Sequence, residues 1–514
     1  MEPGTGSTIA APQDRHVDES CPEPGNSRFL SLADELILGI IEQIDESKAL
    51  CTLARTNSRL QALVEPYIYQ SVVVTHAGEA IDLVKSLKSR TDRLLAIQSL
   101  KIAYVEEDEN GMEALNFVLR DLPNLRYLMV ETPCINNGPH RDCEWESQCR
   151  IDFVPLFQEV SLPAPRNAMQ PFSMLQSVVL HAHADGDDTF TLASNAAIFL
   201  HPTLRNISIS CADITEDLYS SLKGFEQSTP LSSLTFIECN ISAIALKALL
   251  ELPRALKELT LGERQYHFRP SPTGTLAANN RIFMEALQRQ QESLEYIKHV
   301  GGDCFLPSLV ELEAKLLPAF TNLRTMELGP WSCIRRYLMV GGTPPTLETV
   351  RFLNMYAHPF IPRHRLGVIA QMEWNEAVDI AVNKLPGVRQ VDIVLAKDYV
   401  RVLEAVSMKQ GFFPLDHTQP SWAYRKRRDD VYRIANPLRA RGAGFRLYHE
   451  CFPEGRDFIP PYLHGEDTPV EVLVYDSDVP FKFGAAQYSN DEEKKDPDGK
   501  IRENEDGEVG ERGN

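Results

Sequence analysis

Two short stretches, Leu204-Arg-Asn-Ile-Ser-Ile209 and Leu231-Ser-Ser-Leu-Thr-Phe236, share one pattern: apolar, two residues, apolar, one residue, apolar. The pattern recurs from Ile97, Leu125, Leu175, Leu256, Leu323, Leu347 and Val388, with a weaker copy from Leu294. Start-to-start spacings along these ten copies are 28, 50, 29, 27, 25, 38, 29, 24 and 41 residues. A lone copy is found in many core strands, whereas ten at near-regular spacing define a repeating architecture. Each copy reads as a short strand with alternate residues pointing inward, followed by an apolar helical return. One unit cannot bury its own apolar face, so units must stack into a continuous core with parallel strands lining one concave surface. The expectation is an α/β array over residues 73–400, helices outside, with insertions at 134–172, 264–280 and 357–375 where the spacing lengthens.

The best-preserved units, Ile207-Ser-Ile-Ser-Cys-Ala-Asp-Ile-Thr-Glu-Asp-Leu218 and Leu234-Thr-Phe-Ile-Glu-Cys-Asn-Ile241, resemble the cysteine-containing leucine-rich repeats of F-box proteins. In that reading Cys211 and Cys239 are buried turn residues rather than redox or metal groups. Arg264, Trp331 and Met355 occupy the equivalent position elsewhere, so an irregular leucine-rich-repeat solenoid is expected. After residue 400 the pattern fades. Gly444-Phe-Arg-Leu-Tyr-His-Glu450 and Val470-Glu-Val-Leu-Val-Tyr475 read as strands, and 401–488 is expected to be a terminal cap.

Ahead of the array, Leu36, Ile37, Ile40, Ile41 and Ile44 form one apolar stripe at helical spacing. Ser31 with Asp34 reads as a capping-box-like helix start. A second helix carries Leu50, Leu53 and Ala54, and a third carries Leu60, Leu63 and Val64 and is expected to end at Pro66. Three short helices bury too little surface to stand alone, so their apolar residues need a partner.

The string Leu32-Ala-Asp-Glu-Leu-Ile-Leu-Gly-Ile-Ile-Glu-Gln-Ile-Asp45, with Leu50-x-x-Leu53-Ala-Arg-Thr-Asn-Ser-Arg-Leu60 after it, closely resembles an F-box. The following Val64–Val72 is similar to the exit segment of fungal F-box proteins. The resemblance implies an all-α F-box at 28–72 that docks on a Skp-type adaptor and so joins a cullin–RING (SCF-type) ubiquitin ligase. Leu32, Glu35, Leu36, Ile40, Ile41, Ile44, Leu50, Leu53 and Leu60 match positions of the family pattern and are the expected adaptor-binding set. Ala33 stands where the family prefers Pro, and Ala49 where an acid is frequent; the first loses a residue with preset φ at the helix start.

Formal charge is −20. Residues 1–27 hold five acids against one base and residues 489–514 ten acids against five bases, so the two ends carry −9 and are expected to be disordered tails. The acidic balance argues against a general nucleic-acid or anionic-membrane binder. Ten scattered cysteines without a C-x-x-C pair fit neither a disulfide scaffold nor a zinc ribbon. No secretory signal or membrane-length apolar stretch is visible, which points to a cytoplasmic or nuclear protein. Short catalytic motifs are absent, so no catalytic residue, metal or cofactor is expected. His181-Ala-His-Ala-Asp-Gly-Asp-Asp188 is the nearest approach to a metal site and reads better as a solvated loop at a strand end. Cys134, Cys143, Cys149 and His140 match no zinc spacing, and Arg425–Arg428 reads as a charged helix face rather than a nuclear-localisation run.

What remains is recognition. Strand positions between the inward residues face the concave surface, among them Tyr127, Met129, Glu131, His181, Glu258, Glu327, Arg351 and Asp392. Trp331, Tyr266 and Tyr356 follow strands, where an aromatic anchor serves binding. Tyr127, His181, Glu258, Glu327, Trp331 and Arg351 are the candidate target-binding residues. The function expected from the resemblance is substrate recognition within a ubiquitin ligase, the chain itself catalysing nothing. The alternative is a repeat scaffold for protein–protein interaction without a ligase.

Overall fold

The computed structural model describes residues 28–104, 110–132, 150–161, 170–182, 189–265, 275–302, 315–355, 372–396, 428–452 and 460–479. The chain divides into two compact units, one ending at Tyr69 and the other starting at Gln70.

The first unit is helical. A 3-10 turn (Arg28–Ser31) leads into α1 (Asp34–Ile41), α2 (Ser47–Ala54) and α3 (Ser58–Gln70). Ile37, Ile41, Leu50, Leu60 and Val64 form its core, with Leu32, Leu38, Ile44, Leu53, Leu63, Tyr67 and Ile68 packed around them. The apolar stripe on α1 is wider than its buried seam: Ile37 and Ile41 point in, while Leu36 and Ile40 are 59% and 43% exposed. Two local expectations fail. Ala33, not Ser31, is the residue before α1, and it offers no side-chain cap; the Ser31 hydroxyl instead donates to the Arg28 carbonyl. Pro66 does not end α3, which runs four residues further. Its missing N–H frees the Ala62 carbonyl on an exposed side of the helix, where water can replace the lost bond. Beyond Pro66, Tyr67 and Ile68 pack against the core, which offsets the cost of the break.

The second unit is mixed α/β, built on one large and mostly parallel sheet of fifteen strands. These are β1 (Ser71–Val74), β2 (Ser99–Ala103), β3 (Tyr127–Thr132), β4 (Ser177–Ala182), β5 (Phe190–Thr191), β6 (Asn206–Ser210), β7 (Ala212–Ile214), β8 (Ser233–Ile241), β9 (Glu258–Glu263), β10 (Tyr296–His299), β11 (Thr325–Leu328), β12 (Thr349–Met355), β13 (Gln390–Leu395), β14 (Gly444–Cys451) and β15 (Val470–Asp476). Strand order follows the sequence, β5 and β7 forming a short side ladder with the end of β8. Every pair from β1 to β14 is parallel, and β15 closes the order antiparallel to β14. All ten copies of the sequence pattern become strands of this sheet.

In-register pairing stacks equivalent side chains into columns. Leu128, Val178, Ile207, Leu234, Leu259, Ile297, Met326, Val350, Val391 and Phe445 make one, each at most 2% exposed. Burying such a side chain contributes about 1.5–3 kcal/mol, so the columns and the helices against them form the core. Intervening helices include Ala77–Ser89, Val154–Ser161, Ala243–Glu251, Asn280–Gln288, Cys333–Gly341 and Arg428–Ala440.

Five strands stand outside the ten copies: the side-ladder strands β5 and β7, the antiparallel β15, and the parallel β1 and β14. Pairing of Ser71 with Ser99 puts Tyr69 where Ile97 precedes β2, and pairing of Gln390 with Gly444 puts Gly442 where Val388 precedes β13. Neither Tyr nor Gly supplies the leading aliphatic residue. β1 begins within the stretch read as an exit segment, and β14 continues the parallel sheet past residue 400. Cys211 and Cys239 are buried, and Cys211 has φ 55° at the turn between β6 and β7.

Candidate functional site

In the first unit the nine adaptor-set residues fall into three groups. Ile41, Leu50 and Leu60 are core, and Leu32, Ile44 and Leu53 are half-buried around it. Glu35, Leu36 and Ile40 are exposed on α1. Leu36 and Ile40 are one helical turn apart and side by side, an exposed apolar pair flanking the seam through which Ile37 and Ile41 are packed. α3 fixes this helix. The Arg59 guanidinium donates to the carbonyls of Leu30 (2.6 Å) and Leu32 (2.8 Å) and to Asp34 Oδ1 (2.6 and 2.9 Å). Tyr67 donates its hydroxyl to Glu42 Oε1 at 3.1 Å; burial, and then the bond to Glu42, hold the phenol above its ordinary pKa. A cleft of about 570 Å³ lies where α2 meets α3, lined by Cys51, Arg55, Thr56, Asn57 and Gln61 among others.

In the second unit the register brings some target-set residues together and keeps others apart. Glu327 and Arg351 are directly paired across β11 and β12, with N···O 2.8 Å. They belong to a row of alternating sign: Lys298, Glu327, Arg351, Asp392, Arg446 and Asp476, on six successive strands. Lys298 lies 3.8 Å from Glu327, Arg351 3.5 Å from Asp392, and Arg446 3.2 Å from Asp476. Glu471 of β15 also pairs with Arg351, and the Tyr448 ring lies 5.9 Å from its guanidinium. Burial works against the Arg351 charge, but Glu327, Glu471 and Asp392 outweigh it and raise its pKa. For Asp392 burial prevails over Gln390, Arg351 and Arg446, and its carboxyl is raised. Tyr296, beside this row, is raised strongly by burial and then by Glu327. Glu258, exposed at the start of β9, stands next to Tyr296 in register.

Tyr127 and His181 belong to another part of the sheet. His181 Nδ1 lies 3.8 Å from Glu131 Oε2, and the backbone N–H of His464 donates to Glu131 Oε1 at 2.8 Å. Tyr127 lies beside Lys101, whose ammonium is 6.0 Å from the ring, and its pKa is raised by burial and then by Glu131. From β3 to β12 is seven strand steps, roughly 34 Å at the usual spacing, so these six residues line two separate regions rather than one pocket. Trp331 is half-buried after β11, its backbone against Gly301. Tyr266, Tyr356, His183, Asp188, Cys134, His140, Cys143, Cys149 and Arg425 lie outside the described residues.

Lys298, Arg446, Tyr448, Glu471 and Asp476 were not singled out from sequence. Part of the signal was there: the fifth residues of the copies from Leu294, Leu323, Leu347 and Val388 are Lys298, Glu327, Arg351 and Asp392, charges of alternating sign. A second polar group was hidden by its own copy. His299 stands in an apolar column, 0% exposed, with Nδ1 2.8 Å from Ser332 Oγ and Nε2 3.0 Å from Glu263 Oε2. Glu263 also accepts from the backbone N–H groups of Leu276 and Gly302. Ser332 and Glu263 are 2% and 3% exposed, so this chain of groups ties β9, β10 and the start of helix Cys333–Gly341 together and presents no nucleophile at the surface.

Among the described residues, no group of three or more His, Cys, Asp or Glu is placed to hold a metal ion, and no helix is long and apolar enough to cross a membrane. No protein-family model matches the chain, and no curated protein sequence matches it.

Proposed function

We propose that the chain is a substrate-recognition subunit of an SCF-type ubiquitin ligase, its first unit an F-box and its second an irregular leucine-rich-repeat solenoid that binds a target protein. The observation that carries the reading is the exposed pair Leu36 and Ile40, on a helix whose neighbouring Ile37 and Ile41 are already packed in its own core. Exposed apolar residues on a helix with its own core behind it suit docking to another protein. The sequential parallel order of the strands, one per sequence copy, supports the solenoid reading. The mixed-charge row from Lys298 to Asp476 supports protein recognition, since it presents both signs rather than one.

Affinity purification of the chain under proteasome inhibition, wild type against Leu36→Asp and Ile40→Asp, tests this. A charge at the centre of such a contact weakens adaptor binding about thirtyfold or more, while a target held by the second unit is retained. A wild-type chain that captures no Skp-type adaptor, with either substitution silent, counts against a ligase and leaves the scaffold reading.

A further inference from the structure

α1 lacks the device that usually fixes a helix start, since the Ala33 side chain offers no acceptor to the N–H groups of the first turn. α3 compensates. Arg59 gathers the Leu30 and Leu32 carbonyls and the Asp34 carboxylate, tying the chain that enters α1 to α3. At the far end Tyr67 holds Glu42, the residue that follows α1. Both pairs are separated by 25 residues, so α1 and α3 run in the same direction and in step. The two clamps bracket the shared core of Ile37, Ile41, Leu60 and Val64 and leave Leu36 and Ile40 exposed beside it.

We infer that Arg59 and Tyr67 are positioning residues for adaptor docking: they hold α1 at both ends so that Leu36 and Ile40 are presented in a fixed orientation before a partner arrives. The inference rests on the F-box reading and adds the two side chains that pre-organise its docking helix. A fixed helix spares the partner the cost of ordering it. A planar guanidinium serves two carbonyls and a carboxylate at once, which a lysine ammonium at the same position cannot reproduce.

The test measures binding of the full chain to an immobilised Skp-type adaptor, alongside amide hydrogen exchange over residues 30–42 and the thermal midpoint. Arg59→Met is expected to weaken binding about tenfold, Arg59→Lys about three- to fivefold, and Tyr67→Phe about two- to threefold. Each is expected to speed exchange of the α1 amides. Tyr67→Phe and Arg59→Lys keep the packing, so they hold the inference to account if Arg59→Met lowers the midpoint. Wild-type affinity in all three variants overturns the positioning role while leaving the F-box reading standing. Weakened binding with unchanged α1 exchange also overturns it, since the residues then act as direct contacts. A wild-type chain that fails to bind, with Leu36→Asp equally inert, removes the F-box reading and this inference together.

Discussion

His201 is 1% exposed, with the Phe157 ring centroid 5.7 Å away and the Thr203 N–H donating to its Nδ1 at 3.3 Å. Burial pushes its pKa down to about 4. An unfolded histidine takes up its proton near pH 6.5, so between roughly pH 6.5 and 4 the unfolded chain binds a proton that the folded chain refuses. Stability from this group is therefore present above pH 6.5 and lost as pH falls toward 4, about 3 kcal/mol in all. Thermal midpoints across pH 4–7 are expected to fall less steeply for His201→Gln than for wild type; equal slopes would remove the histidine from the account. Asp34 teaches the opposite lesson about reading single residues. Its place three residues after Ser31 suggested a local cap, yet its carboxylate goes to Arg59, 25 residues later, because a guanidinium also able to reach two carbonyls is the better partner.

At the scale of elements, apolar helix stripes and strand centres were legible because they depend on local pattern, while boundaries were not: α1 starts after Ala33 rather than Ser31. α3 passes through Pro66 because packing beyond the break outweighs one lost hydrogen bond. β1 does not read as a strand, and β14 reads as a strand but not as part of the array, because Tyr69 and Gly442 stand where the pattern has an aliphatic residue. The turn after β10 shows a backbone constraint of the same scale. Gly301 has φ +81°, and a Cβ there collides with the Trp331 carbonyl. Gly301→Ala is expected to cost about 2 kcal/mol or more, read as a lower urea midpoint. Gly387→Ala, which meets nothing within 4 Å, is expected to change it by less than about 0.5 kcal/mol.

At the scale of the molecule, the second unit grows by nearest-neighbour pairing, each strand held by the one before and the one after. Residues beyond 400 are therefore part of this unit: Ile434 and Leu438 of the helix Arg428–Ala440 and Phe445 and Leu447 of β14 are all at most 2% exposed. A chain ending at residue 400 loses the neighbours of Val391 and Ile393 and forfeits on the order of 5–10 kcal/mol of burial. It is expected to aggregate or to unfold at a clearly lower urea concentration, as seen by size-exclusion chromatography and near-ultraviolet circular dichroism. By itself the sequence determined the repeating strands, their inward residues and the helical unit ahead of them, because these follow from periodicities of two and 3.6 residues that each segment carries alone. Only the tertiary structure decided which side chains meet: Arg59 with Asp34, Glu327 with Arg351, His299 with Glu263 and Ser332. Those contacts depend on register and on packing between segments tens of residues apart, and local pattern carries no information about the distance between them.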